Sequence, residues 1–530
     1  MKVVLKISLL ICLFSCWFPK LQAQDNVEEA GAVAYFGKPI PRKAGQEFQF
    51  LAYFFNQSVT TNYFATNDFL KGQVIGRLFG PNTTNTSDTL SARYFEQRFL
   101  PFFIYQPKLF DNRVILRAVF EIDWTWGDVA YGTGGNFGSA VSGDQVNIQT
   151  QNVEIEFLPG NRWAINLGLQ RMYDTPFNPY RTFFNKMTYT GYRLVYWGTD
   201  GVGLSVRKDW DFARLKAGFY QLYENNIQDK DDVIMYELNY SQHLTPLWNI
   251  GVSGNYVYDR ANGEGGPSIL GQGLNSTLVE YNGAFRFSGL GSYKADIGWL
   301  GSYFHYNEDI MMDQWILSGF VNYNFGSVRE ETEVANQYEK AVTISGLGAN
   351  LRAAYRHGQT ENDLISVDLI YSTGDENGIA DEKYNGVITG NTWGTPAGVF
   401  ISSGSYILFP HGNVVNRFNA AVTDISNLGY GLQGGTINIA KDIIPHQLNG
   451  KVGFAMAQSA FEPRGGGKML GSEINAMISY SFGPFMSLEL HAAHMWLGDF
   501  YESQRIRADD ITSKPEDPWL AFAAFKWLMF

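Results

Sequence analysis

In residues 113–124, Val114, Leu116, Ala118, Phe120, Ile122 and Trp124 share one parity, and Arg113, Arg117, Glu121 and Asp123 share the other. A strand turns successive side chains to opposite faces, so this stretch presents one apolar face and one polar face. The same alternation sets Trp163, Ile165, Leu167 and Leu169 against Arg162, Asn166 and Gln170, and Ala213, Leu215, Ala217 and Phe219 against Arg214 and Lys216. It continues with Val279, Tyr281, Phe285 and Phe287 against Glu280, Asn282 and Arg286. Near the end, Ile474, Ala476, Ile478, Tyr480 and Phe482 oppose Asn475, Ser479 and Ser481, and Met486, Leu488, Leu490 and Ala492 oppose Ser487 and Glu489.

The length of these runs decides between two folds. A strand in a soluble sandwich averages about five or six residues. The runs here commonly extend to about ten to thirteen, which suits a tilted strand crossing a hydrocarbon layer, where about 9 to 11 are needed. Lipid offers no water to unpaired amides, so a sheet spans it only when closed into a barrel. The expected fold is therefore all-β: a transmembrane antiparallel up-and-down barrel with long extracellular loops and an even strand number between about 16 and 20. No Pro/Ser-rich linker divides the chain, 15% of its residues are aromatic, 56 are glycine, and mean hydropathy is only −0.18, which excludes a helical membrane bundle. Trp124, Trp126, Trp163, Trp197, Trp299 and Trp496 lie near expected strand ends, where interfacial girdles form.

The N-terminus reads as an export signal. Lys2 and Lys6 flank the start, residues 7–18 are apolar, and Pro19 and Ala23 supply a breaker and a small residue before a cleavage point near Ala23. Leu13-Phe14-Ser15-Cys16 loosely resembles a lipobox, but bulky Phe14 fits it poorly. The expected plan is a signal peptide over 1–23, a short N-terminal extension over 24–47 and an outer-membrane barrel over 48–530, in the cell envelope of a Gram-negative bacterium. Cleavage removes Cys12 and Cys16, so no disulfide or thiolate metal site is expected. It also removes three of the 40 basic residues and none of the 52 acidic ones, taking formal charge from −12 to −15, a poor balance for nucleic acid.

The final residues, 519–530, form an apolar strand with an aromatic end, resembling the terminal strand by which the barrel-assembly machinery recognises its clients; Lys526 shares parity with Phe530 and has to face the lumen or snorkel. The late segments also resemble the alginate-export porins. Residues 365–378, which include Tyr371, Ser372, Thr373, Gly374 and Asp375, are similar to that family's late strand and turn, with Thr373 where a serine is expected. The stretch 404–431, with Leu408-Phe409-Pro410-His411 and Asp424-Ile425-Ser426-Asn427-Leu428-Gly429, is similar to its next loop and strand. Leu167-Gly168-Leu169-Gln170-Arg171 is similar to its Gly-Arg-Gln strand end, with Leu169 where arginine is frequent. The resemblance implies about 18 strands and a basic pore lining for a polyanionic polysaccharide; it does not establish the solute.

If the apolar parity faces lipid, the polar parity lines the lumen with Arg113, Arg117, Arg162, Arg207, Arg214, Lys216, Arg286, Lys294, Arg352 and Arg356. Such cations lower the barrier for an anion leaving water. Glu121, Asp123, Glu154, Glu156, Glu280, Asp296 and Glu489 are interleaved with them, and the competing reading is a wall stiffened by ion pairs. Residues 375–382 have some oxygen-ligand character for Ca²⁺ without an EF-hand spacing, so a solvated loop is expected. His491 and His494, three apart on a strand, fall on opposite faces and make no zinc pair. Nucleophile, metal and nucleotide motifs are absent, so neither catalysis nor a cofactor is expected. The expected function is a passive pore or exporter for a polar, anionic solute such as a uronate-containing polysaccharide, with outer-membrane lipid as the other partner. The alternative is a plugged barrel whose loops, such as 127–144, 260–275 and 379–400, bind surface partners or serve secretion.

Overall fold

The computed structural model describes residues 46–65, 75–77, 84–126, 147–173, 198–224, 229–262, 287, 289–307, 313–388, 404–409, 418–422, 425–483, 485–507 and 515–529. They belong to one compact unit, 41–530. The expected signal peptide and extension lie outside the described residues, apart from 46–47.

Eighteen strands among the described residues form the barrel. The first six are β1 (Phe48–Thr61), β2 (Ala92–Tyr105), β3 (Val114–Trp126), β4 (Asn147–Gly160), β5 (Trp163–Tyr173) and β6 (Gly198–Asp209). Next come β7 (Ala213–Tyr223), β8 (Val233–His243), β9 (Trp248–Asp259), β10 (Tyr293–Tyr306), β11 (Trp315–Glu331) and β12 (Tyr338–Arg356). The last six are β13 (Leu364–Ser372), β14 (Leu432–Ile444), β15 (Leu448–Gln458), β16 (Met469–Gly483), β17 (Met486–Leu497) and β18 (Trp519–Met529). Each pairs antiparallel with its sequence neighbours. The ring closes where β1 meets β18, from Ala52↔Met529 to Thr61↔Leu520, so no barrel edge is left open.

The polarity is inside out relative to a soluble protein. On β5 the apolar Trp163 and Leu167 are exposed, while Ala164, Asn166 and Gln170 are buried. On β16, Ile474 and Ile478 point out, and Glu473 and Asn475 point in. The outward parity is thus the apolar one, as a lipid-facing wall requires.

The two rims differ as the strand rule for such barrels demands. One rim carries the short connections 161–162, 210–212, 244–247, 445–447 and 484–485, together with the start of β1 and the end of β18. Asn161 and Arg162 both have positive φ (51° and 59°), the backbone of a two-residue hairpin turn. The other rim carries the long connections 62–91, 127–146, 174–197, 260–292, 373–431 and 498–518. Short turns mark the periplasmic rim and long loops the extracellular one.

Parts of the 373–431 connection return to the barrel. Lys383–Tyr384 pairs in parallel with Thr343–Ile344 on β12, in the plane of the wall beyond the end of β13, and Ile388 then meets the inward Trp299 and Asn324. Residues 404–409 lie against the inner wall of β16, held by Glu473 and Asn475. Further along, Phe418–Ala420 pairs in parallel with Ile75–Arg77 of the first long connection.

Trp299 departs from the expected girdle. It points into the lumen at 1% exposure and donates its indole N–H to the Ile388 carbonyl at 2.8 Å. Inward-folded chain covers the wall here, so on upper β10 the inner parity carries the apolar residues Tyr293, Ala295, Ile297 and Trp299. Trp163 and Trp496 are exposed near opposite rims; Trp197 lies outside the described residues.

Candidate functional site

The inner wall of β3–β8 carries an ion-pair network that passes from strand to strand. Arg117 on β3 is a strand partner of Glu154 on β4. Its guanidinium reaches Glu154 at 3.3 Å and Glu156 at 2.8 Å, with all three side chains nearly enclosed. Asn166 on β5 donates to Glu154 at 3.0 Å. Arg207 on β6 contacts Glu156 at 3.5 Å and Asp209 at 3.0 Å, and Asp209 also holds Arg214 on β7. Lys216 on β7 meets Glu237 on β8 at 2.8 Å, and Glu237 accepts the Tyr220 hydroxyl at 2.8 Å. Four cations are matched there by four carboxylates. Burying such charges is tolerable only because each finds partners.

The second part of the site is the strap at 404–409. Glu473, fully enclosed, accepts the backbone N–H of Tyr406 at 2.7 Å, of Ile407 at 2.9 Å and of Leu408 at 2.7 Å, and the Ser405 hydroxyl at 2.7 Å. Asn475 donates to the Gly404 carbonyl at 2.9 Å. Gly404 is pressed onto β14: a Cβ there would meet Thr436 at 2.2 Å, so only glycine lets the strap lie this close.

Above the wall, the Tyr406 ring meets His491 and Phe522 edge-on at 5.1 and 5.8 Å. His491 stacks on Phe522 at 4.2 Å, and the Lys451 ammonium stands 5.3 Å from the Tyr406 ring centre. Lys451 lies within electrostatic reach of Lys526, Arg352, Glu489 and Glu473. Glu489 pairs with Lys526 and His491 at 2.8 and 2.9 Å, while Arg352 stands 4.0 Å from Asp368.

The expected lining residues divide into four groups. Arg117, Arg207, Arg214, Lys216, Arg352 and Arg356 stand on the inward parity. Arg113 and Arg162 instead sit in periplasmic turns, where Arg162 pairs with Asp211, because the hairpin ends one residue later than the polar parity implies. Lys294 faces outward, as does Asp296: each is offset by one residue from Tyr293, Ala295 and Ile297, which point in. Arg286 and Glu280 lie outside the described residues, as do the side chains of Glu121 and Asp123.

Lys451, Glu473 and Arg98 also point inward and were not among the expected lining. Parity alone reaches Glu473, two residues before inward Asn475, but its role depends on a strap arriving from more than sixty residues upstream. In the 375–382 loop, Asp375 accepts the backbone N–H groups of Asn377 and Asn385, so its carboxylate serves the loop's own turn.

No family model matches the chain, and no curated protein matches it. Among solved structures it is similar to Acinetobacter baumannii OccAB4, at 10% identity and a TM-score of 0.45 over 92% of this chain and 99% of that one. It is similar as well to the outer membrane protein OpdK of Pseudomonas aeruginosa, at 10% identity and a TM-score of 0.43 over 90% and 98% of the two chains. A structure of OpdK with vanillate gives 9% identity, 0.43, 91% and 98%. At this identity and TM-score the likeness carries no argument about residue roles or function.

Proposed function

We propose that the protein is an outer-membrane channel for passive diffusion of small polar anions, with the 404–409 strap narrowing the path. The supporting observation is a closed barrel that is apolar outside and charged inside, with a piece of its own chain bound to the inner wall. A lumen that had no solute to pass would need no matched charges on its wall; an apolar filling would close it at lower cost.

The reading of anion preference rests on the strap region. Arg352, Lys451 and Lys526 face Asp368 and Glu489 there, while the oxygens of Glu473 are taken up by strap amides and the Ser405 hydroxyl. Cations set at a constriction favour anions. Transport is by electrostatically guided diffusion and involves no covalent step in this chain.

The test is single-channel conductance of the refolded mature chain in a planar bilayer under a salt gradient. Stable openings with a reversal potential on the anion side support the channel. Block by a small carboxylate such as vanillate but not by uronate oligomers sets the size class, and block by the oligomers favours polysaccharide export. A correctly folded barrel that passes no current favours the plugged interaction protein.

A further inference from the structure

The outward face of β9–β12 carries charges just above its apolar band. On β11 the exposed residues run from Trp315 to Phe325, and ten steps of about 3.4 Å at a tilt of about 40° rise about 26 Å, the height of an apolar belt. Arg329 stands four residues beyond Phe325 toward the long-loop rim, about 10 Å higher, at headgroup depth. Its strand partner is Lys294 on β10, so both occupy one register row on the outer face.

Two arginines converge there on one carboxylate, and Lys294 stands beside them. Asp296 accepts Arg260 at 2.8 Å, Arg329 at 2.8 Å and the Tyr256 hydroxyl at 2.7 Å. Arg260 is held in place: its guanidinium lies 3.6 Å from the Tyr258 ring centre and donates to the carbonyls of Asp259 and Ala295 at 2.7 and 3.0 Å. Lys294 stands 4.0 Å over the Tyr338 ring and has no carboxylate within salt-bridge range among the described residues. Arg329 spends one nitrogen on Asp296 and leaves its side chain 43% exposed.

We infer that Lys294, Arg329 and Arg260 form a docking site for a phosphate-bearing headgroup of the outer-leaflet lipid. Cations that merely snorkel extend singly toward water. These three are fixed beside one another by Asp296 and by tyrosine faces, with a net charge of two left to answer from outside. A phosphate supplies that charge, and arginine donors match its oxygens. The tyrosines below give the sugar and upper acyl region an amphipathic seat. The site lies on the lipid face and is independent of whether the lumen conducts.

The experiment is native mass spectrometry of the mature barrel released from detergent with bisphosphorylated lipid A, with the same lipid dephosphorylated, and with inorganic phosphate as competitor. The chain is expected to retain bisphosphorylated lipid A about tenfold better than the dephosphorylated form, and Lys294→Ala with Arg329→Ala to abolish the difference. Heat-modifiable gel migration shows that the double variant is folded, and Lys294→Glu alone, which keeps strand pairing, is expected to lower retention of the bisphosphorylated form. Equal retention by the variants, or retention indifferent to lipid phosphorylation, overturns the site. Displacement of the lipid by inorganic phosphate at equal concentration assigns the site to free phosphate and overturns the lipid reading.

Discussion

On β3–β8 the inner wall is joined by charges that reach from strand to strand, whereas on β10–β18 it is covered by chain folded inward from the 373–431 connection. Both arrangements answer the same demand, since enclosed polar groups need partners. Arg117 finds Glu154 and Glu156 on the adjacent strand, so its environment is set by register alone. Glu473 finds three backbone N–H groups on the strap, so its environment is set by a distant segment. The first wall depends on no remote segment. The second depends on the hold on the strap, and the proposed channel would be adjusted there.

The largest expected effect tests that hold. Glu473→Ala orphans three buried N–H groups at about 1–3 kcal/mol each. The strap then leaves the wall, and single-channel conductance rises by about twofold or more as the path widens. Glu473→Gln retains one acceptor and should fall between. Unchanged conductance in Glu473→Ala would place the strap outside the conducting path and erase the distinction between the two walls.

The opposite wall should respond in stability first. Arg117→Ala leaves Glu154 and Glu156 enclosed without their shared cation, which costs about 3–5 kcal/mol in denaturant unfolding from detergent or bilayer. Arg214→Ala removes a half-exposed partner of Asp209 and should cost less than about 1 kcal/mol. Equal losses at the two positions would mean that burial does not grade this network.

What was legible in the sequence follows the same division. Strand-to-strand alternation revealed the barrel, its outward parity and the placement of Arg117, Arg207, Arg214 and Lys216, because each depends on a residue's own strand and its neighbours. Trp299 and Lys294 were misread because they sit where inward-folded chain makes the inner parity apolar. No local pattern reports what a remote loop will cover. Arg113 and Arg162 share the polar parity but belong to turns, and period two does not say where a hairpin ends.

A smaller effect sharpens the second wall. Trp299→Phe keeps a ring against the inward-folded chain but deletes the 2.8 Å bond to the Ile388 carbonyl, at about 1 kcal/mol. Amide exchange at Ile388, whose N–H is held by Asn324 at 3.2 Å, should quicken while exchange on β4–β5 stays unchanged. If both walls quickened together, the inward chain and the charge network would form one cooperative unit.

The smallest effect lies in the periplasmic turn 357–363, outside both walls. Asp363 accepts the backbone N–H of Asp442 at 2.8 Å, of Gln359 at 3.0 Å and of Thr360 at 3.4 Å, and these donors, led by Asp442, hold its carboxyl below the ordinary aspartate value. A depressed carboxylate contributes stability that is fully present above the unfolded value, about 3.9, and is lost as pH falls through the folded one. Stability of the native chain should therefore decline below about pH 4. Asp363→Asn, which carries no charge to lose, should start slightly lower at neutral pH and show a shallower acid decline. Unfolding midpoints of both chains across that acid range measure the difference. Parallel declines would show that the turn is indifferent to this carboxylate and that acid lability arises in the charged wall of β3–β8 instead.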